Sequence, residues 1–332
     1  MSLLLALRRG CLAALALSAP ALASHPIRVP QDQPTIQAAI DAAQPGQRIV
    51  VSRGRFCGAT LTQRVKLVGK SGATIIGCPA PVAGVLRVGF LLPDDRASGS
   101  SIRGFTFDGT GISNSNLNPI AAGILGRSTN DVRVVGNTFL GGIQAITSTD
   151  GSHWQVAFNT VRNMTALTCD GQCAGGDGIV FQQRQDLTTR PKGNIAAFNS
   201  VQGTVPDGLS EFEVVGVFLL GQQGSIVFAN QLAIPHNPAA SSSGVGVLIS
   251  DQCCAAVVTS TSIDWRVLFN DGRRSEIAVQ VSPDVHGGNG NLQGGILFGN
   301  RGVIDLPPGA SVLRSAMRSS TAPRPAIFAV IE

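Results

Sequence analysis

A short phrase recurs along this 332-residue chain at intervals that constrain the backbone more than any other feature does. It is a brief apolar strand, often ending in Phe, followed by Asn, a small or polar residue and commonly an apolar one. It reads VRVVGNTF to Phe139, WQVAFNTV to Val161, NIAAFNSV to Val201, SIVFANQL to Leu232, WRVLFNDG to Gly272 and GILFGNRG to Gly302. A seventh instance, IRGFTFDG, places Asp108 at the corner. The corner residues Asn137, Asn159, Asn199, Asn230, Asn270 and Asn300 are 22, 40, 31, 40 and 30 residues apart, and the shortest interval sets the unit. Corners this frequent, joined by strands of four or five residues, do not fit a sandwich and point to a solenoid of stacked coils. Asn suits such a corner because it tolerates left-handed backbone and its amide can bond the equivalent Asn one coil away. Phe107, Phe158, Phe198, Phe269 and Phe298, which belong to the same phrases, are expected to stack inside.

A second strand follows most corners and opens with Gly and a branched apolar residue: Gly123-Ile124, Gly142-Ile143, Gly178-Ile179, Gly216-Val217 and Gly244-Val245. Each coil therefore has at least two strands. The 40 glycines follow no collagen period, so the excess serves turns and close backbone approach. Ahead of the repeats, Thr35 precedes Ile36, Ala39, Ile40 and Ala43 at helical spacing, and Gln44-Pro45-Gly46 stops the run. A short helix laid across the open end of a parallel stack would cover its unpaired edge.

The run PTIQAAIDAAQPGQRIVVSRGRF, then VKLVGKSGATIIG, then the Asn-corner repeats, resembles the pectin lyase-like right-handed parallel β-helix superfamily over about residues 30 to 304. The resemblance implies an all-β, right-handed parallel β-helix of about nine coils from 46 to 304, with a capping helix in 24–45 and a C-terminal cap or tail in 305–332. It also implies that Cys57 and Cys78, one coil apart, stack as bonded neighbours. No reaction transfers with it. The acid, His and Arg-Ile-Lys patterns of polygalacturonases, the Gly-x-Tyr-x-Glu of pectin methylesterases and the Asp-Pro-His-Asp of alginate epimerases are all missing.

Residues 1–23 read as a signal peptide, with Arg8 and Arg9, an apolar run from Cys11 to Leu17 and the small-x-small ending Ala21-Leu22-Ala23. A secreted or periplasmic location is expected, with no membrane span once the leader is removed. Cleavage takes two of the 25 basic residues and leaves 23 against 20 acidic ones, a net charge of +3. With no Lys/Arg run, nucleic acid is not an expected partner, while weak attraction to an acidic polymer remains open. The six cysteines left fall into local pairs Cys57 with Cys78, Cys169 with Cys173 and the adjacent Cys253 and Cys254, the last strained as a vicinal ring.

Three successive coils lengthen at one corner, in loops 160–177, 200–215 and 231–243, and insertions at one corner of a solenoid stack into a wall. The loops hold Asp170, Asp177, Asp207, Glu211, Glu213 and His236. Acids on adjacent coils are what glycosidic chemistry needs, so Asp177, Asp207 and Glu211 are the catalytic candidates, with Asp170, Glu213 and His236 as ligand-binding ones. No metal site is expected, although a calcium ion neutralising a uronate fits the same acids. Asp177 and Asp207 also sit in Asp-Gly steps, where an Asx-turn explains them structurally. Arg184, Arg190 and Lys192 form a basic group suited to substrate carboxylates or simply to solvent. Two functions follow: a protein that acts on or binds an acidic polysaccharide, by lyase or hydrolase chemistry if it is an enzyme, or a non-catalytic scaffold that binds surface glycan or another protein.

Overall fold

The computed structural model describes residues 25–78, 81–83, 86–167, 175–183, 190–209, 213–250, 262–282, 294–307, 312–314 and 327–331. The leader, Asp170, Arg184, Glu211, Cys169, Cys173, Cys253 and Cys254 lie outside the described residues. The strands form three long sheets, A, B and C, in which the strands of successive coils pair in parallel and are non-consecutive in the chain. This is a right-handed parallel β-helix. Each of the first seven coils visits A, then B, then C, as the fifth does with Gln155–Ala157, Thr160–Thr165 and Asp177–Gln182, and the last two pass B with single bridges at Asp271 and Arg301. Sheet A has twelve strands, and all but Ile27–Val29, Val312–Arg314 and Ile327–Ile331 belong to successive coils, from Arg48–Val51 to Gly295–Phe298, so there are nine.

Period-two alternation puts one rank of each strand inside. Val134, Val156 and Ala196 stack in register on sheet A, as Phe107, Phe139 and Val161 do on sheet B, all buried in one core. Phe107 and Phe139 lie face to face at 4.7 Å. Burying each such side chain contributes roughly 1.5–3 kcal/mol, and the coil repeats the gain at every step. Sheet C departs from strict alternation. Gly178 and Gly216 point inward together with the branched residue after them, and a Cβ on Gly178 would lie 2.4 Å from the Gly216 carbonyl oxygen. Ala145 and Ala278 hold that register in coils four and eight, so the opening of coil four is Ala145-Ile146, not Gly142-Ile143. In coil seven the strand opens on Gly244-Val245 as expected, and Gly246-Val247 is the pair in register with Gly216-Val217.

The corner between sheets A and B carries a continuous amide ladder. Each Asn Oδ1 accepts from the backbone N–H and the Nδ2 of the Asn one coil earlier, from Asn137 to Asn159 and onward to Asn300, at 2.9–3.2 Å. All six are buried. The left-handed residue, however, is the one before each Asn: Gly136, Phe158, Phe198, Ala229, Phe269 and Gly299 have φ between 52° and 68°. That turn throws the preceding side chain outward. Phe158, Phe198 and Phe269 are therefore 60%, 47% and 50% exposed rather than inside. Asp108 is not a corner either; it lies in Thr106–Gly109 opposite Leu140, and the ladder starts from the Phe105 N–H on Asn137.

The helix forms over Ile36–Ala42, with Thr35 as N-cap accepting from Ala38 N. It buries Ile36, Ala39 and Ile40. Gln37 pairs its amide with both the N–H and the carbonyl of Thr60, closing the open edge of sheet C. The strand Ile27–Val29, too short to show in the sequence, adds to the start of sheet A. At the far end Ile327–Ile331 pairs antiparallel with Gly295–Phe298. Cys57 and Cys78 are bonded, joining the first two coils.

Candidate functional site

The loops between sheets B and C run from 166 to 176, 205 to 213 and 234 to 243. The second and third are tied together: Gly208 N donates to Ala239 O, and the Asn237 amide donates to Val205 O and to the Asp207 carboxylate, each at 2.8–2.9 Å. Exposed Asp207 thus serves the wall between coils. His236 Nδ1 lies 3.1 Å from Glu276, whose other oxygen accepts from Gly244 N. Glu276 was not among the sequence candidates, because nothing in RRSEIA marks it.

Asp177 opens its sheet C strand in register with Gln144 before it and Val215 after it. Val215 packs with Val245 and Leu248 in a cluster separate from the core, so this rank faces outward. Asp177 is nonetheless only 7% exposed. Burial pushes its pKa up from 3.8 to about 7; a bond from the Gln144 amide at 3.4 Å lowers it and the charge of Glu213 raises it. Gln144 also accepts from Thr147, and Gln182 donates to Thr149, so the outer face of sheet C is polar in coils four and five. No hydrogen bond or ion pair joins Asp177 to Asp207 among the described residues. Arg190 and Lys192 lie beyond the other end of the strand Asp177–Gln182, about 16 Å away at 3.3 Å per residue, and do not join the acids.

The outer face of sheet B is open. One rank runs in register through Thr138, Thr160, Ser200, Gln231 and Asp271. Its later part floors a groove of about 370 Å³, with Ser200, Gln202 and Gln231 below and Arg273 and Arg274 at the side. A continuation of about 220 Å³ reaches Asn163, Thr204 and Pro235 at the loop wall. These volumes suit a small ligand or a short stretch of polymer. Arg273 is held by Asp271 through two bonds, at 2.8 and 2.6 Å, which keep that carboxyl below its ordinary range. Arg274 is exposed and has no hydrogen bond or ion pair among the described residues. None of the sequence candidates among the described residues lines this groove. Its signal was the Asp-Gly-Arg-Arg step after Asn270, which reads as a solvated turn.

Both tryptophans, Trp154 and Trp265, are fully buried, so neither is available to stack on a sugar. No group of three or more His, Cys, Asp or Glu residues capable of holding a metal occurs among the described residues.

No protein-family model matches the chain, and no curated protein matches it in sequence. Among solved structures it is similar to PfbA, a surface adhesin of Streptococcus pneumoniae, with 14% identity over 81% of this chain and 84% of that one and a TM-score of 0.41. It is similar to the A-module of the Azotobacter vinelandii mannuronan C-5 epimerase AlgE4, with 17% identity, 82% and 93% coverage and a TM-score of 0.31. A third is the Dettilon tailspike protein, at 16% identity, 88% and 74% coverage and a TM-score of 0.33. At these values no residue's role transfers, and the fold rests on the strand registers.

Proposed function

We propose that this chain is an exported β-helix that binds an acidic polysaccharide along the outer face of sheet B. The observation that carries the reading is the groove itself: a floor of hydroxyls and amides, one arginine neutralised by Asp271, and Arg274 left without a partner among the described residues. Amides and hydroxyls match sugar hydroxyls, and a free guanidinium pairs with a uronate carboxylate in fork geometry. Parallel coils repeat the floor along the axis, as a polymer requires. Export rests on the leader-like residues 1–23.

Calorimetric titration with oligogalacturonate and with oligoalginate tests it. The unaltered chain should bind one of them with an affinity that falls as salt is added. Arg274→Ala should weaken binding about tenfold, equal to about 1.4 kcal/mol. Equal binding by the variant, or none by the unaltered chain, overturns the reading.

A second reading, acid–base action on the same polymer class, is favoured by Asp177, whose carboxyl titrates near neutrality as a general acid or base must. It predicts new unsaturated or reducing ends from such polymers, abolished by Asp177→Asn. Unchanged polymer after prolonged incubation removes this reading and leaves the first.

A further inference from the structure

Sheet A presents a face of a different character. Its outward positions carry Arg48, Lys66, Arg103, Arg133 and Arg266, all exposed. None of the five side chains has a hydrogen bond or ion pair among the described residues, and no Asp or Glu occupies any of the nine coil strands of this sheet. Asp131 and Asp264 stand only at its far edge, before the strands begin. At about 4.8 Å per coil the cations span roughly 34 Å.

Along the other edge runs an aromatic stripe. Phe158 and Phe198 stack at 5.1 Å, and Phe198, Phe228, Phe269 and Phe298 follow edge to face at 5.1–5.9 Å. Phe158, Phe198 and Phe269 adopt φ of 55–56°, where coils four and nine use Gly136 and Gly299. Left-handed backbone costs a side-chain-bearing residue about 1–2 kcal/mol, and these rings bury nothing inside the helix in return. The fold does not ask for Phe there.

The geometry points to an anionic lipid bilayer surface as the partner of this face, with the arginines and lysine on phosphates and Phe158, Phe198 and Phe269 entering the apolar boundary. Cations beside exposed aromatics are the pairing that an interfacial site uses. A second copy of the chain is disfavoured, because two such faces are both cationic and neither brings a carboxylate. A sugar is disfavoured, because Phe158 and Phe198 already stack face to face on one another. Among the described residues no helix is long and apolar enough to cross a membrane, so the contact is peripheral.

Flotation of the full chain with vesicles of equimolar phosphatidylglycerol and phosphatidylcholine, against phosphatidylcholine alone, tests the proposal. The chain should float with the anionic vesicles only. Phe158→Asn, Phe198→Asn and Phe269→Asn together keep residues that accept left-handed backbone and should lower the bound fraction at least tenfold, by about 1.4 kcal/mol or more. Arg103→Gln with Arg133→Gln should weaken binding about thirtyfold, at about 1 kcal/mol per charge. Circular dichroism checks that the variants are folded; if the triple variant is not, Phe158→Asn alone decides in the same assay. The proposal is overturned if the chain stays unbound, if neutral vesicles bind it equally, or if the Phe variants float as well as the original. It is also overturned if light scattering shows the Phe residues holding a dimer in solution.

Discussion

Asp177 combines an outward strand position with near-complete burial, and its consequence is measurable as pH dependence. With an ordinary pKa of 3.8 when unfolded and about 7 when folded, the native state holds the proton more tightly. Stability from this group is thus fully present below about pH 4 and lost as pH rises through 7, by a few kcal/mol in all. Asp177→Asn, which keeps the shape and removes the charge, should match the original near pH 4 and exceed it in denaturation midpoint near pH 8. A midpoint difference that is the same at both pH values would contradict the burial. The sequence marked Asp177 as an acid in an Asp-Gly step but gave no sign that its face of sheet C is covered. Arg274 escaped notice for the opposite reason: an Arg-Arg turn is usually solvated, and only the register of Gln231 with Asp271 shows that it borders a groove.

The Asn corner is the element that holds the coils in register. Asn199 alone accepts twice from Asn159 and donates to Asn230 and to Val156 O. Asn199→Ala leaves these buried partners unmatched, at about 1–3 kcal/mol for each stranded group. A loss of about 3 kcal/mol or more in urea denaturation is expected, whereas a loss below about 1 kcal/mol would mean that strand pairing alone sets the corner. This ladder was legible because every coil needs the same side chain at the same place. The direction of the neighbouring Phe was not. A Phe after alternating Val and Ala reads as core by periodicity, and only the left-handed φ of that residue turns it out. The sheet C opening was misplaced in coil four for a related reason: Gly142-Ile143 stands just ahead of Ala145-Ile146, the pair that holds the register, and both are a small residue before Ile.

At the scale of the whole molecule, one core is wrapped by three unlike faces. Sheet C is covered and holds Asp177, sheet B is an open polar groove, and sheet A is cationic with an aromatic edge. Each end is closed by a different device, the helix Ile36–Ala42 with Gln37 on Thr60 at one and an antiparallel strand at the other. The repeat made the stack and its nine coils readable. It did not make the faces readable, since a solenoid tolerates any outward side chain and the choice among faces is left to function. Hydrogen–deuterium exchange with and without oligogalacturonate or oligoalginate, whichever binds, tests the central claim that the sheet B groove is the glycan site. Slowed exchange confined to 200–204, 231–235 and 271–275 is the predicted result; slowed exchange at 177–182 with the groove unchanged would contradict it.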